Sequence, residues 1–113
     1  MEIDSINQFD RQLEVEYKGE KYFVRDNGAV CRQARSGQRK RKLDDFWTFG
    51  RPDDWKGYMN IGPHVVHRIV ATAFHGVRPS DNHIVDHIDT NRRNNRAENL
   101  RWRRHSDQER SFY

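Results

Sequence analysis

The residues best suited to chemistry sit in one stretch of the chain: Asp86 and His87 side by side, then Asp89, Asn91, Asn94, Asn95 and Asn99, closing on Leu100, Arg101 and Trp102. These types suit acid–base work at an imidazole, whose free pKa lies near neutrality, and cation binding at a carboxylate. An Asp–His pair alone is more often a surface hydrogen bond than a site, so the asparagines around it matter. On a strand, neighbours such as Asp86 and His87 point to opposite faces, and both serve one site only if the strand bends or ends there. An Asn-rich loop gives a reason for such a bend, because Asn tolerates turn geometry and bonds the backbone.

The elements around this stretch must hold it. Ile84-Val85 opens a short strand that ends at Asp86-His87. Thr90 to Glu98 is a polar loop, and Leu100 to Trp102 is a second short strand. A helix is expected over 105–112, with Ser106 as N-cap and Glu109 completing a capping box. Upstream, Val66, Ile69, Val70, Ala73 and Phe74 fall on one face of a helix over 67–74, stopped by Gly76. Tyr58 to Ile61 and Val65-Val66 are short strand candidates, and Gly50 to Gly57 reads as a loop. Residues 12–33 read as β structure. Leu13, Val15 and Tyr17 alternate with Glu14 and Glu16, Tyr22 to Val24 follow Lys18-Gly19-Glu20, and Ala29 to Cys31 follow the turn Asp26-Asn27-Gly28.

The chain has 113 residues, enough for one domain, of which 34% are hydrophobic and 34% charged. Six Phe, four Tyr and three Trp supply large apolar areas to a thin core and argue against disorder. Cys31 is the lone cysteine; it forms no disulfide within the chain, leaves no cysteine zinc site and fits a reducing cytoplasm. The start, MEIDSINQFD, is acidic and polar rather than a signal peptide, and no apolar run suits a membrane helix. The net charge of +4 is unevenly spread. Residues 32–42 hold Arg32, Arg35, Arg39, Lys40, Arg41 and Lys42 without an acid, and 91–104 hold six arginines against Glu98 alone. Two basic blocks suggest a polyanion partner, usually nucleic acid; the alternative is a solvated surface.

The segment VDHIDTNRRNNRAENLRW, residues 85–102, resembles the HNH, or ββα-metal, endonucleases, and is most similar to the phage and intron homing endonucleases of that family. It departs from their pattern at Thr90, where Gly is usual. HRIVATAF, residues 67–74, is similar to the helix that precedes the motif, and YFVRDNGAV, residues 22–30, to a strand-turn-strand before it. The resemblance touches residues 22–108 and is strong over 66–102. It implies an α+β fold, an N-terminal antiparallel β meander followed by a ββα-metal (HNH) motif. A single domain over 1–113 is expected, β-rich over 12–62, with the helix and ββα-metal core over 63–113.

The resemblance also implies roles. His87 is expected as the general base, Asp86 as a metal ligand, and Asn99 as the residue that holds the loop so that the imidazole is oriented. Gln108 stands where relatives carry Asn or His as second metal ligand, and His105 could substitute for it. One divalent metal is expected, Mg²⁺ by its oxygen ligands, with Mn²⁺ able to replace it. Arg92, Arg93 and Arg96 are expected at DNA phosphates, and Arg39, Lys40, Arg41 and Lys42 along a DNA backbone. His67 is expected as a structural hydrogen-bonder, His64, His75 and His83 as surface or turn residues, Asp89 as a loop residue and Trp102 as core.

The implied function is metal-dependent hydrolysis of DNA, giving a nick or a double-strand break. Two alternatives stay open: a DNA-binding module on the same fold with a decayed metal site, which Gln108 motivates, and a nuclease toxin or defence effector with an inhibitor partner. A monomer would nick one strand per visit and a homodimer could cut both. Homing relatives usually continue into a separate DNA-binding region, so either a compact, weakly specific nuclease or an excised domain is expected.

Overall fold

The computed structural model describes residues 5–105. Ten elements follow in order: β1 (Gln12–Tyr17), β2 (Glu20–Arg25), β3 (Val30–Arg32), β4 (Trp47–Thr48), β5 (Arg51–Pro52), β6 (Met59–Ile61), β7 (His64–Val65), α1 (Val66–His75), β8 (His83–His87) and β9 (Leu100–Arg104). They form an antiparallel four-stranded sheet β1-β2-β3-β4, a three-stranded sheet β5-β6-β7 and the hairpin β8-β9. The architecture is α+β. The helix expected over 105–112 lies outside the described residues except for His105.

The meander follows from its turns and alternation. β1 and β2 join through Lys18-Gly19, both at positive φ (49° and 81°), the twist that a two-residue hairpin requires. Along β2, Glu20, Tyr22 and Val24 point inward while Lys21 and Phe23 face out. Tyr22, Val24 and Val30 enter one core with Ile61, Val66, Ile69, Val70, Ala97 and Leu100. Both halves of the chain therefore share a single apolar interior, and α1 packs on the meander and on β9 together. Arg51–Pro52, expected within a loop, pairs with β6 as an edge strand, where proline's missing N–H is tolerated.

The basic stretch 32–42 is pinned by Glu20, distant in sequence, and by Asp44 and Asp45, which follow it directly. Arg41 places its two terminal nitrogens 2.7 and 3.0 Å from the Glu20 carboxylate and its Nε 3.0 Å from Asp44. Arg32 meets Asp44 at 2.8 Å, Arg35 meets Glu20, and Lys40 meets Asp45 at 3.6 Å. The Arg41 hydrogen bond is the main cause that holds the Glu20 carboxyl down to about 2. Burial would raise Asp44, but the bonds from Arg41 and Arg32 outweigh it and hold it well below the usual range. Among the described residues, no helix is long and apolar enough to cross a membrane.

Candidate active site

β8 ends at His87, and Thr90 N–H closes a turn directly onto the His87 carbonyl at 2.8 Å. Asp86 and His87 leave this strand end on opposite faces. Asp86 lies opposite Arg101 across the hairpin, and His87 lies opposite Leu100 with only 8% exposure.

The loop between the strands is organised around Asp89. Its two carboxylate oxygens accept from Asn91 N–H (2.8 Å), Asn94 Nδ2 (2.8 Å) and Asn99 Nδ2 (2.9 Å). The Asn94 bond is the first of the causes that lower its pKa. Asn99 completes the knot: its Oδ1 accepts from Asp89 N–H at 3.0 Å and its Nδ2 also donates to the Asn94 carbonyl at 2.9 Å. Thr90 sits at φ 66°, a conformation that a β-branched residue adopts only under strain and that glycine takes freely. The departure from the family pattern at this position thus leaves the turn in place, and Thr90 Oγ1 bonds the Asp89 carbonyl at 2.6 Å.

The side chain that touches the imidazole is Asn95. Its Oδ1 lies 2.7 Å from His87 Nε2. With an amide oxygen as acceptor, Nε2 carries the proton and Nδ1 keeps its lone pair. Asn95 is itself fixed from behind. A Cβ built on Gly28 would lie 2.8 Å from the Asn95 carbonyl carbon and oxygen, so only glycine allows the approach, and Ala97 N–H donates to Asp26 O at 2.9 Å. The Asp26-Asn27-Gly28 turn therefore buttresses this loop. His75, at the end of α1, bonds the Ala97 carbonyl through Nε2 at 2.7 Å.

His87 packs in a small aromatic group. The His67 ring meets it edge-on at 5.2 Å, Tyr58 stacks at 6.1 Å, and Tyr58 and His67 are 4.9 Å apart. Burial, followed by the neighbouring His87, pushes the His67 pKa down to about 3, so this ring is neutral. His67 Nδ1 and Asn95 Nδ2 are buried without a hydrogen-bond partner. His67 thus meets His87 edge-on with its Nδ1 unbonded, where the sequence suggested a hydrogen-bonder.

Asp86 faces the other way. Its Oδ2 accepts from Arg101 Nε at 2.9 Å, with Arg103 at 3.5 Å. The His105 backbone N–H bonds the Asn82 carbonyl at 2.6 Å, just before β8. Gln108 lies outside the described residues.

Of the cationic residues, Arg41 is held by Glu20 and Asp44. Glu20 is distant in sequence and Asp44 lies just past the block, which is why the block looked unpaired. Arg92 donates to the Lys56 carbonyl at 2.7 Å and lies over Tyr58, and Arg96 approaches Glu98 at 3.8 Å. Arg93, Arg39 and Lys42 are exposed. Trp102 is half-buried and donates to the Gly76 carbonyl at 2.9 Å, tying β9 to the end of α1. Sequence reasoning gave no role to Asn95, Tyr58, Arg101 or Arg103. Asn95 and Arg101 stand inside the recognised motif, but spacing alone does not say which amide reaches the ring.

A strand ending in Asp–His, an asparagine-knotted loop and a returning strand form a hairpin like the ββ part that the resemblance implies. Residues 64–110 match the family described as HNH endonuclease. The chain is also similar to a solved structure described as "DNA binding and cleavage by the HNH homing endonuclease I-HmuI", with 26% identity and a TM-score of 0.59. The match covers 87% of this chain and 56% of the relative, so the chain spans little more than half of that protein's length. No curated protein matches the chain in sequence.

Proposed function

We propose that the chain is a DNA endonuclease that hydrolyses phosphodiester bonds with the help of one divalent metal. The observation that carries this reading is the oriented imidazole: Asn95 Oδ1 holds Nε2 of His87 at 2.7 Å, so that Nδ1 lies outside this bond. His87 takes the proton of the attacking water at Nδ1 as the new P–O bond forms and the ester P–O bond breaks. Burial of the ring among Tyr58, His67 and Asn95 keeps it in one pose, and Asn99 and Asp89 keep the loop that carries Asn95 in shape.

The donor set suits a hard cation bound by few protein ligands. No cluster of three or more His, Cys, Asp or Glu among the described residues could hold a metal, and the bond from Arg101 Nε goes to Oδ2 of Asp86. Mg²⁺ is commonly held by one or two carboxylates together with waters and substrate phosphates. Asp86 and the amide of Gln108 would hold it, and Mn²⁺ would substitute. When bound, the metal supplies charge neutralisation at the scissile phosphate. Arg93, Arg96 and Arg92, with Arg39, Lys40 and Lys42 further off in sequence, supply the phosphate contacts.

Supercoiled plasmid incubated with Mg²⁺, Mn²⁺ or EDTA tests this reading. Relaxation or linearisation that EDTA stops is expected, with a slower rate in Gln108→Ala. No cleavage with any metal, alongside retained salt-sensitive DNA binding, would leave a DNA-binding module on a nuclease fold.

A further inference from the structure

We propose that Arg101 is a binding residue for a DNA phosphodiester, and that the protein without DNA stores it on the metal-ligand carboxylate of Asp86. The proposal rests on the reading of Asp86 as a metal ligand.

The two residues are directly opposed in the β8-β9 register, and Arg101 Nε lies 2.9 Å from Asp86 Oδ2. Arg103, on the same face of β9, reaches that oxygen at 3.5 Å. One of the two oxygens that could receive a dication is therefore occupied by guanidinium groups, and a bound dication would lie beside one or two positive charges. The pair is unequal in exposure: the Asp86 side chain is 18% exposed and that of Arg101 is 55% exposed. Arg101 can therefore swing away while Asp86 stays. An exposed ion pair is weak, which makes exchange easy. Beside it lies a groove lined, among the described residues, by His83, Arg101, Trp102, Arg103 and Arg104. A phosphodiester entering that groove offers the guanidinium fork two oxygens, a stronger partner than one shared carboxylate oxygen. As Arg101 moves to the phosphate, Asp86 is released to the metal. Metal and DNA then favour each other's binding, reciprocally, as linkage requires.

Binding of Mn²⁺ to the DNA-free protein, read by electron paramagnetic resonance of the unbound ion, tests this without any cleavage. Arg101→Gln is expected to bind Mn²⁺ roughly three- to fivefold more tightly than wild type, the scale of one exposed ion pair. Arg93→Gln, which removes an equal charge from the loop, is expected to change it much less, and Arg101→Lys to fall between. In EDTA, Asp86→Asn is expected to tighten binding of a short duplex more in the Arg101 protein than in Arg101→Gln. Equal Mn²⁺ affinity in wild type and Arg101→Gln, with binding lost in Asp86→Asn, overturns the exchange alone. Mn²⁺ binding unaffected by Asp86→Asn overturns the metal role of Asp86, and the exchange with it.

Discussion

An imidazole takes a proton from water only through a bare ring nitrogen, and in this chain Asn95 decides which nitrogen that is. Removing its amide leaves Nε2 without an acceptor and the ring free to turn. Asn95→Ala is expected to slow single-turnover cleavage roughly 10- to 100-fold, the worth of one well-placed buried hydrogen bond. An unchanged rate in a folded variant would show that the contact is incidental. The four amides of the motif, Asn91, Asn94, Asn95 and Asn99, were legible as loop-formers, and their division of labour was not. Asn91, Asn94 and Asn99 serve Asp89 and the loop backbone, while Asn95 serves the ring. That division depends on the path of the backbone, which Thr90 at φ 66° turns without the glycine that the pattern calls for.

At the scale of elements, the turn after β2 reaches the site directly. Gly28, at φ 96° and in contact with the Asn95 backbone, has no room for a side chain. Gly28→Ala is expected to destabilise the protein by roughly 1–2 kcal/mol from backbone strain alone. Because it also displaces Asn95, it should slow cleavage at temperatures where the variant remains folded; full activity there would contradict the buttress. The Asp26-Asn27-Gly28 turn was visible in sequence as a turn, but its contact with the Asn95 loop is long-range and left no local signal. The Glu20 network is a second case. A carboxyl held at about 2 instead of 4.5 contributes stability that is full above the higher value and is lost as pH falls toward the lower one. Arg41→Gln is therefore expected to cost more stability at pH 7 than at pH 3, as denaturant melts at the two values would show. An equal cost at both would contradict the ion pair's part in folding.

For the whole molecule, alternation and turn chemistry made the meander and α1 legible, because each is set by local periodicity. The shared core was not, since Tyr22, Val24 and Val30 meet Ile69 and Leu100 only after the chain has folded back. The charge pattern misled for the same reason. Arg32, Arg35 and Arg41 look like a free cationic stripe, yet Glu20, across the fold, and Asp44, just past the block, pair with them. Arg39 and Lys42 of that block stay exposed, as do Arg92, Arg93 and Arg96 of the loop between β8 and β9. The most direct measurement of the central claim is single-turnover cleavage of supercoiled plasmid in Mg²⁺ by wild type and His87→Ala, with folding of both checked by circular dichroism. A general base predicts a loss of roughly 10²- to 10⁴-fold in the variant. Cleavage by folded His87→Ala at a rate close to wild type would contradict it.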